Sequence, residues 1–167
     1  MDRREKILQM IQESEKPISA SFLAKTLGVS RQIIVGDVAL IRASGTNITA
    51  TPRGYILEEK KNNDIYVIAV KHDHTQLQDE LYTIVDLGGS IIDVIVEHPV
   101  YGQLTGELHI SSRYDVDQFM SKVKESHANA LSQLTNGLHL HTIQCQNKNI
   151  YLRIVDKLSQ KGYLFKK

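Results

Sequence analysis

The residues best suited to chemistry in this 167-residue chain are its histidines. Six of the seven, His72, His74, His98, His109, His139 and His141, fall at or near the ends of predicted elements in the second half. His139 and His141 form an H-x-H pair in an apolar run, Leu138 to Gln144. On a strand, side chains repeat every two residues, so both imidazoles share one face, the spacing a chelating pair needs. A carboxylate, Glu80, stands eight residues after His72 in the next predicted helix. Three imidazoles and one carboxylate suit a divalent transition metal, zinc or nickel. A separate constellation is His98-Pro99-Val100-Tyr101-Gly102. Proline fixes φ and glycine permits a sharp exit, so this is either a plain hairpin turn or a rigid loop offering an imidazole and a phenol to a small ligand. His109 is given no role.

A third constellation lies in the first half, Ile18 to Gln32. A short apolar helix, the turn glycine Gly28 and a Ser30-capped helix are the parts of a helix-turn-helix. Its second helix would project its first turn into a DNA major groove. Arg31 and Gln32 stand in that turn, outside the apolar stripe Ile34, Val38 and Ile41. Arginine can pair bidentately with guanine and glutamine with adenine. The hydroxyls of Ser19 and Ser30 and the amides at the helix starts can hold phosphates, and Arg53 beside Pro52 suits a wing-tip contact. Gly36, in mid-helix, costs about 0.5–1 kcal/mol relative to alanine; a close approach to the DNA backbone would account for it.

These residues require two sets of elements. The first set is a helix over residues 3–13, a second capped by Ser19 with Phe22, Leu23 and Leu27 facing inward, a third from Ser30 to about Ala43, and a small hairpin, 47–50 and 54–57, around Thr51-Pro52-Arg53. Together they make a winged helix-turn-helix, residues 1–60. The polar run Glu58 to Asp64 reads as a linker. Beyond it, residues 64–167 read as strand, helix, strand, strand, helix, strand, with a final helix and a short strand at Tyr163-Leu164-Phe165. The βαββαβ order is the split, ferredoxin-like arrangement of an α+β domain. That sheet places its fourth strand antiparallel beside its first, which brings the end of the first strand, His72, toward His139 and His141. His74 has the same parity. His72 is preferred because Asp73-His74-Thr75 resembles a helix cap.

Composition bounds the partners. Residues 1–61 carry ten lysines and arginines against seven acids, and the remainder carries ten against twelve. A basic head on an acidic body fits nucleic-acid binding by the head. The lone cysteine, Cys145, cannot form an internal disulfide and points to a reducing cytoplasm. No apolar run approaches the roughly 18 residues of a membrane span, so no membrane partner is expected.

The segments Val70-Lys71-His72, Asp93 to Gly102 and Gly137-Leu138-His139-Leu140-His141-Thr142-Ile143 resemble the three histidine motifs of the 3H domain. With the winged head, nearly the whole chain is similar to the niacin-responsive bacterial repressors of NAD biosynthesis and niacin uptake genes. The resemblance implies a homodimer that binds operator DNA when nicotinic acid is present. It also implies a divalent metal held by His72, Glu80, His139 and His141, with the ligand nearby. Nicotinate offers a carboxylate and a pyridine nitrogen. If the metal takes one, the other is left for a side chain such as His98, Tyr101 or Arg113. Gly36 departs from the larger polar residues such helices often carry. Two other readings use the same site: a regulator that senses the metal itself, and an enzyme with a metal-bound water. The enzyme reading lacks a general base or nucleophile beside the ligands.

Overall fold

The computed structural model describes residues 1–58, 65–126 and 130–166. Helix α1, Arg3–Glu13, starts at a capping box in which Asp2 and Glu5 satisfy each other's backbone amides. Helix α2, Ala20–Leu27, is capped by Ser19 and ended by Gly28 at φ +70°. Helix α3, Arg31–Ala43, is capped by Ser30. Strands β1, Ile48–Thr51, and β2, Gly54–Leu57, pair as the wing. The buried carboxylate of Asp37 in α3 is held from two sides by Arg3 of α1, at 2.5 and 3.2 Å. One expectation fails: Phe22 faces outward, 55% exposed, because Leu23 and Ala24 supply the short helix's inward face.

The body contains β3 (Ile65–Lys71), a 3₁₀ turn (His74–Gln76), α4 (Leu77–Asp86), β4 (Ser90–His98), β5 (Gly102–Ile110), α5 (Arg113–Glu125), a second 3₁₀ turn (Leu131–Thr135), β6 (Leu138–Gln144) and α6 (Lys148–Gln160). The polar run expected to be a linker lies, beyond Glu58, outside the described residues.

The α+β class and the βαββαβ element order hold, but the strand order is not the ferredoxin one. The sheet runs β3-β6-β4-β5, antiparallel throughout, with β6 rather than β5 filling the gap between β3 and β4. Burial explains the exchange. Along β5, Thr105, Glu107 and His109 are exposed, which suits an edge, whereas β6 is buried on both faces from Leu138 to His141. The expected last strand at Tyr163 to Phe165 is a short bridge along β3, where the Lys71 amide donates to the Tyr163 carbonyl and the Phe165 amide to that of Ala69.

The sheet has two covered faces. On one, Ile68, Val70, Ile91 and Ile143 pack with Leu81, Ile84, Ile154 and Leu158 of α4 and α6. On the other, Ala69, Ile95, Leu138 and Leu140 join the apolar core of the winged head, including Val35, Val38 and Ala39 of α3. The head is seated on the open face of the sheet, and one core runs through both.

Candidate metal centre and DNA-reading surface

His139 and His141 project from β6 toward α4, on the face shared with Ile143. His72 follows the end of β3, and Glu80 lies one turn into α4, fully buried. The antiparallel β3–β6 pairing, Lys71 opposite Leu138, brings His72 to this end of β6. Gly137 permits the approach: at φ +89°, its hypothetical Cβ would lie 2.1 Å from the His72 carbonyl oxygen. The Asn136-Gly137 turn pair is the sequence signal that could have located this contact.

The three imidazoles are oriented alike. Each Nδ1 is bonded to a backbone carbonyl: His72 to Asp73 at 2.7 Å, His139 to Gly137 at 2.8 Å and His141 to Asp93 at 2.7 Å. A carbonyl only accepts, so each Nδ1 carries a proton, and in the neutral form of each ring the Nε2 lone pair faces Glu80. The Nε2 atoms of His72 and His139 lie 2.5 and 3.3 Å from Glu80 Oε2, and that of His141 lies 2.8 Å from Oε1. The His141–Glu80 contact is close, yet the two buried atoms lack hydrogen-bond geometry. With the rings neutral, four acceptors converge and a cation at their centre would satisfy them; without one, a proton on an imidazole is what can bridge to Glu80. Candidate ligand atoms of His72, Glu80 and His139 all lie within 4.8 Å of one another. His74 instead opens the 3₁₀ turn and is exposed.

The electrostatics carry the same tension. Burial opposes ionisation of Glu80, but the charges of His141 and His139 outweigh it and hold its carboxyl well below the usual range. Burial likewise opposes protonation of His72 and His141, and contact with Glu80 overrides it and raises both. For His139 burial wins and its value falls. A hollow of about 480 Å³ opens beside His72, lined by Lys71, Asp73, His74, Ser132 and Asn136. A small space of about 20 Å³, bounded by Leu81, Phe119, Leu131, His139 and His141, has room for little more than one water.

The proposed effector residues do not share one pocket. His98 Nδ1 accepts the amides of Val100 and Tyr101 at 3.1 and 3.3 Å, so the imidazole closes its own turn. Tyr101 is 63% exposed, its ring 4.8 Å from that of His98. Arg113 lies at the opposite end of the β4–β5 hairpin, where Ile91 pairs with Ile110. Its guanidinium is paired to Asp86 at 2.6 and 2.7 Å and lies over the Tyr82 ring.

On the head, Gln32 and Arg53 are exposed. The Ser19 and Ser30 hydroxyls accept the amides of Phe22 and Ile33, at 3.0 and 3.2 Å, as helix caps. Arg31 is engaged: its guanidinium lies 3.3 Å from Glu97 of β4. Sequence reasoning missed Glu97, which reads as one more polar residue at a strand end.

Residues 3–56 match a helix-turn-helix (HTH) domain and residues 65–167 match the 3H domain. The chain is 41% identical to the probable transcription repressor NiaR of Thermotoga maritima, over 98% of this chain and 93% of that protein. It is 36% identical to the transcription repressor NadR of Bacillus subtilis, over 99% and 94%. No helix among the described residues is long and apolar enough to cross a membrane. These relatives place the chain with DNA-binding regulators and not with enzymes. The chain belongs to the family of transcription repressors that joins an N-terminal helix-turn-helix to a C-terminal 3H domain, the family its histidine motifs resemble.

Proposed function

We propose that this repressor is a niacin-responsive regulator of NAD biosynthesis and niacin uptake genes, acting in the cytoplasm as a homodimer on operator DNA. The observation that carries the effector side is the convergence of three Nε2 atoms on a buried carboxylate. His72, Glu80, His139 and His141 hold a divalent ion such as zinc or nickel, with the Asp73, Gly137 and Asp93 carbonyls fixing the rings. An ion that accepts more than these four ligands would supply a site for a carboxylate or a pyridine nitrogen. The hollow beside His72 has the size of a small-ligand pocket, and Lys71 on its wall supplies a cation for nicotinate's carboxylate. His98, Tyr101 and Arg113 are not needed for this reading.

A dimer with two heads spans half-sites about 34–36 Å apart, or a multiple of that, so effector binding can act through the heads' spacing and freedom. The names of the relatives, NiaR and NadR, support the niacin and NAD assignment. The test is DNA binding by the full chain, on duplexes it selects from a random pool, titrated separately with nicotinate and with zinc or nickel. Nicotinate should tighten binding of the metal-loaded protein. If nicotinate leaves the affinity unchanged while the metal alone shifts it, the chain is a metal sensor instead.

A further inference from the structure

We infer that this structure is the DNA-excluded state of the repressor, in which the body masks the surface the head would present to a major groove. The inference rests on the head's reading as a DNA-binding domain. In a helix-turn-helix, the groove-facing side of the second helix is opposite the side that packs on the head's own core. Here Ile34, Val38 and Ile41 form the inward side, and at 100° per residue Gln32, Gly36, Ala39 and Ala43 point the opposite way. Gln32 at its start is exposed, but the middle of that side does not face solvent. Gly36 and Ala39 are buried, the Phe165 ring covers Gly36, and Val35 and Ala39 face Leu138 and Leu140 across a seam of about 30 Å³.

The segment from Glu97 to Gln103 clamps the head in this pose. Glu97 holds Arg31, the residue best placed to read a guanine. Arg42 of α3 is 8% exposed and also lies within the influence of Glu97. The buried Tyr55 hydroxyl sits beside Glu97, out of line for a full hydrogen bond. Gln103 accepts the Ala50 amide of the wing at 3.3 Å. Gly102, at φ +74°, lets the turn press against the wing tip: a Cβ there would lie 2.4 Å from the Thr51 carbonyl carbon and 2.6 Å from the Pro52 nitrogen. The turn motif thus contacts both DNA-reading elements, the helix start and the wing. Its role is to hold the head, and the effector opposes or releases that hold from the other face of the same sheet. His139 and His141 alternate along β6 with Leu138 and Leu140, which meet α3.

The test is fluorescence anisotropy of the full chain on a duplex of roughly 30 base pairs that it selects from a random pool, at about 50 mM salt, without metal or nicotinate. Glu97→Ala and Phe165→Ala loosen the two ends of the contact independently, the second with no change in charge. Each should raise affinity about tenfold, with faster amide exchange at Ala50. Glu107→Ala, an exposed carboxylate on the same hairpin, controls for the lost negative charge and should change affinity less than twofold. Affinity that stays level or falls in Glu97→Ala, Phe165→Ala and their double variant overturns the inference. The double variant Gln32→Ala/Arg53→Ala separates the two levels of the argument. If it weakens binding while the releasing variants do nothing, the head binds DNA but is not masked. If it too does nothing, the reading of the head is what fails.

Discussion

The ring of Phe165 occupies the space a side chain on Gly36 would need: a Cβ there would lie 2.8 Å from Cζ and 3.1 Å from Cε2. The glycine that looks like an opening for the DNA backbone is, in this structure, an opening for the protein's own C-terminal segment. Its helix cost of about 0.5–1 kcal/mol is offset by a helix–sheet approach that buries apolar surface on both sides.

Gly36→Ala should therefore separate helix stability from docking. Alanine restores helix propensity, and the group it meets is the free end of a side chain that can swing aside. The unfolding free energy from urea titration should change by less than about 1 kcal/mol. Amide exchange at Phe165, which donates to the Ala69 carbonyl at 2.9 Å, should accelerate. Unchanged exchange would mean that the ring contact does not hold the segment.

The pairing of His139 with His141 was legible because strands impose a local rule: two histidines two apart must share a face. His72 followed from topology, and the pairing survives even though the strand order does not, whereas Glu80 was marked by its place in the next helix and by the family resemblance. The inference needed only that the first and last strands be neighbours, which β3-β6-β4-β5 preserves. The docking was illegible for a different reason. Gly36 and Ala39 are small and weakly apolar, Val35 lies beside the inward stripe, and nothing in their spacing says whether a groove or a sheet covers them. Glu97 and Gln103 act through partners about fifty to seventy residues away in sequence, which periodicity does not register. His98 and Tyr101 lie at one end of a nine-residue strand pair and Arg113 at the other, a separation their positions in the sequence do not display.

Removing the metal should cost measurable stability. A ligand at a thousandfold excess over its Kd stabilises by about 4 kcal/mol. At about 2–4 °C per kcal/mol for a chain of this size, zinc or nickel should raise Tm by roughly 10 °C over chelated protein. His139→Ala should lose most of that increment, while Arg113→Ala should keep it. An equal increment in both variants would place the ion elsewhere.

The pH dependence should change sign with the metal. In the metal-free protein His72 and His141 are raised above the ordinary imidazole value of 6.5 by Glu80. Such groups stabilise the fold below their unfolded value, and that contribution is lost as pH rises through the folded value. His139, lowered by burial, works the other way, but it is one group against two. Glu80, held low, contributes above its unfolded value near 4.5 and loses that contribution as pH falls. Chelated protein should therefore lose stability as pH rises from 6 to 8. Metal-loaded protein should gain over the same range, since protons compete with the ion for its ligands. Parallel Tm–pH curves with and without metal would exclude these histidines as ligands.

The two exposed candidates on the head should affect DNA binding in different ways. Arg53 stands on the wing beside Pro52, where a guanidinium meets phosphates or the minor groove. Arg53→Ala should weaken binding to all sequences alike and reduce the slope of log affinity against log salt by about 0.9, one phosphate's worth. Gln32 occupies the first turn of α3 beyond the covered part of its outward side. Gln32→Ala should leave the salt slope intact and relax the preference at one base pair by about 1–3 kcal/mol. Arg31→Ala should give a smaller net loss than either contact predicts, because the same substitution removes a DNA ligand and frees the head from Glu97. A salt slope altered by Gln32→Ala but not by Arg53→Ala would exchange the two assignments, and with them the pose of the head on the groove.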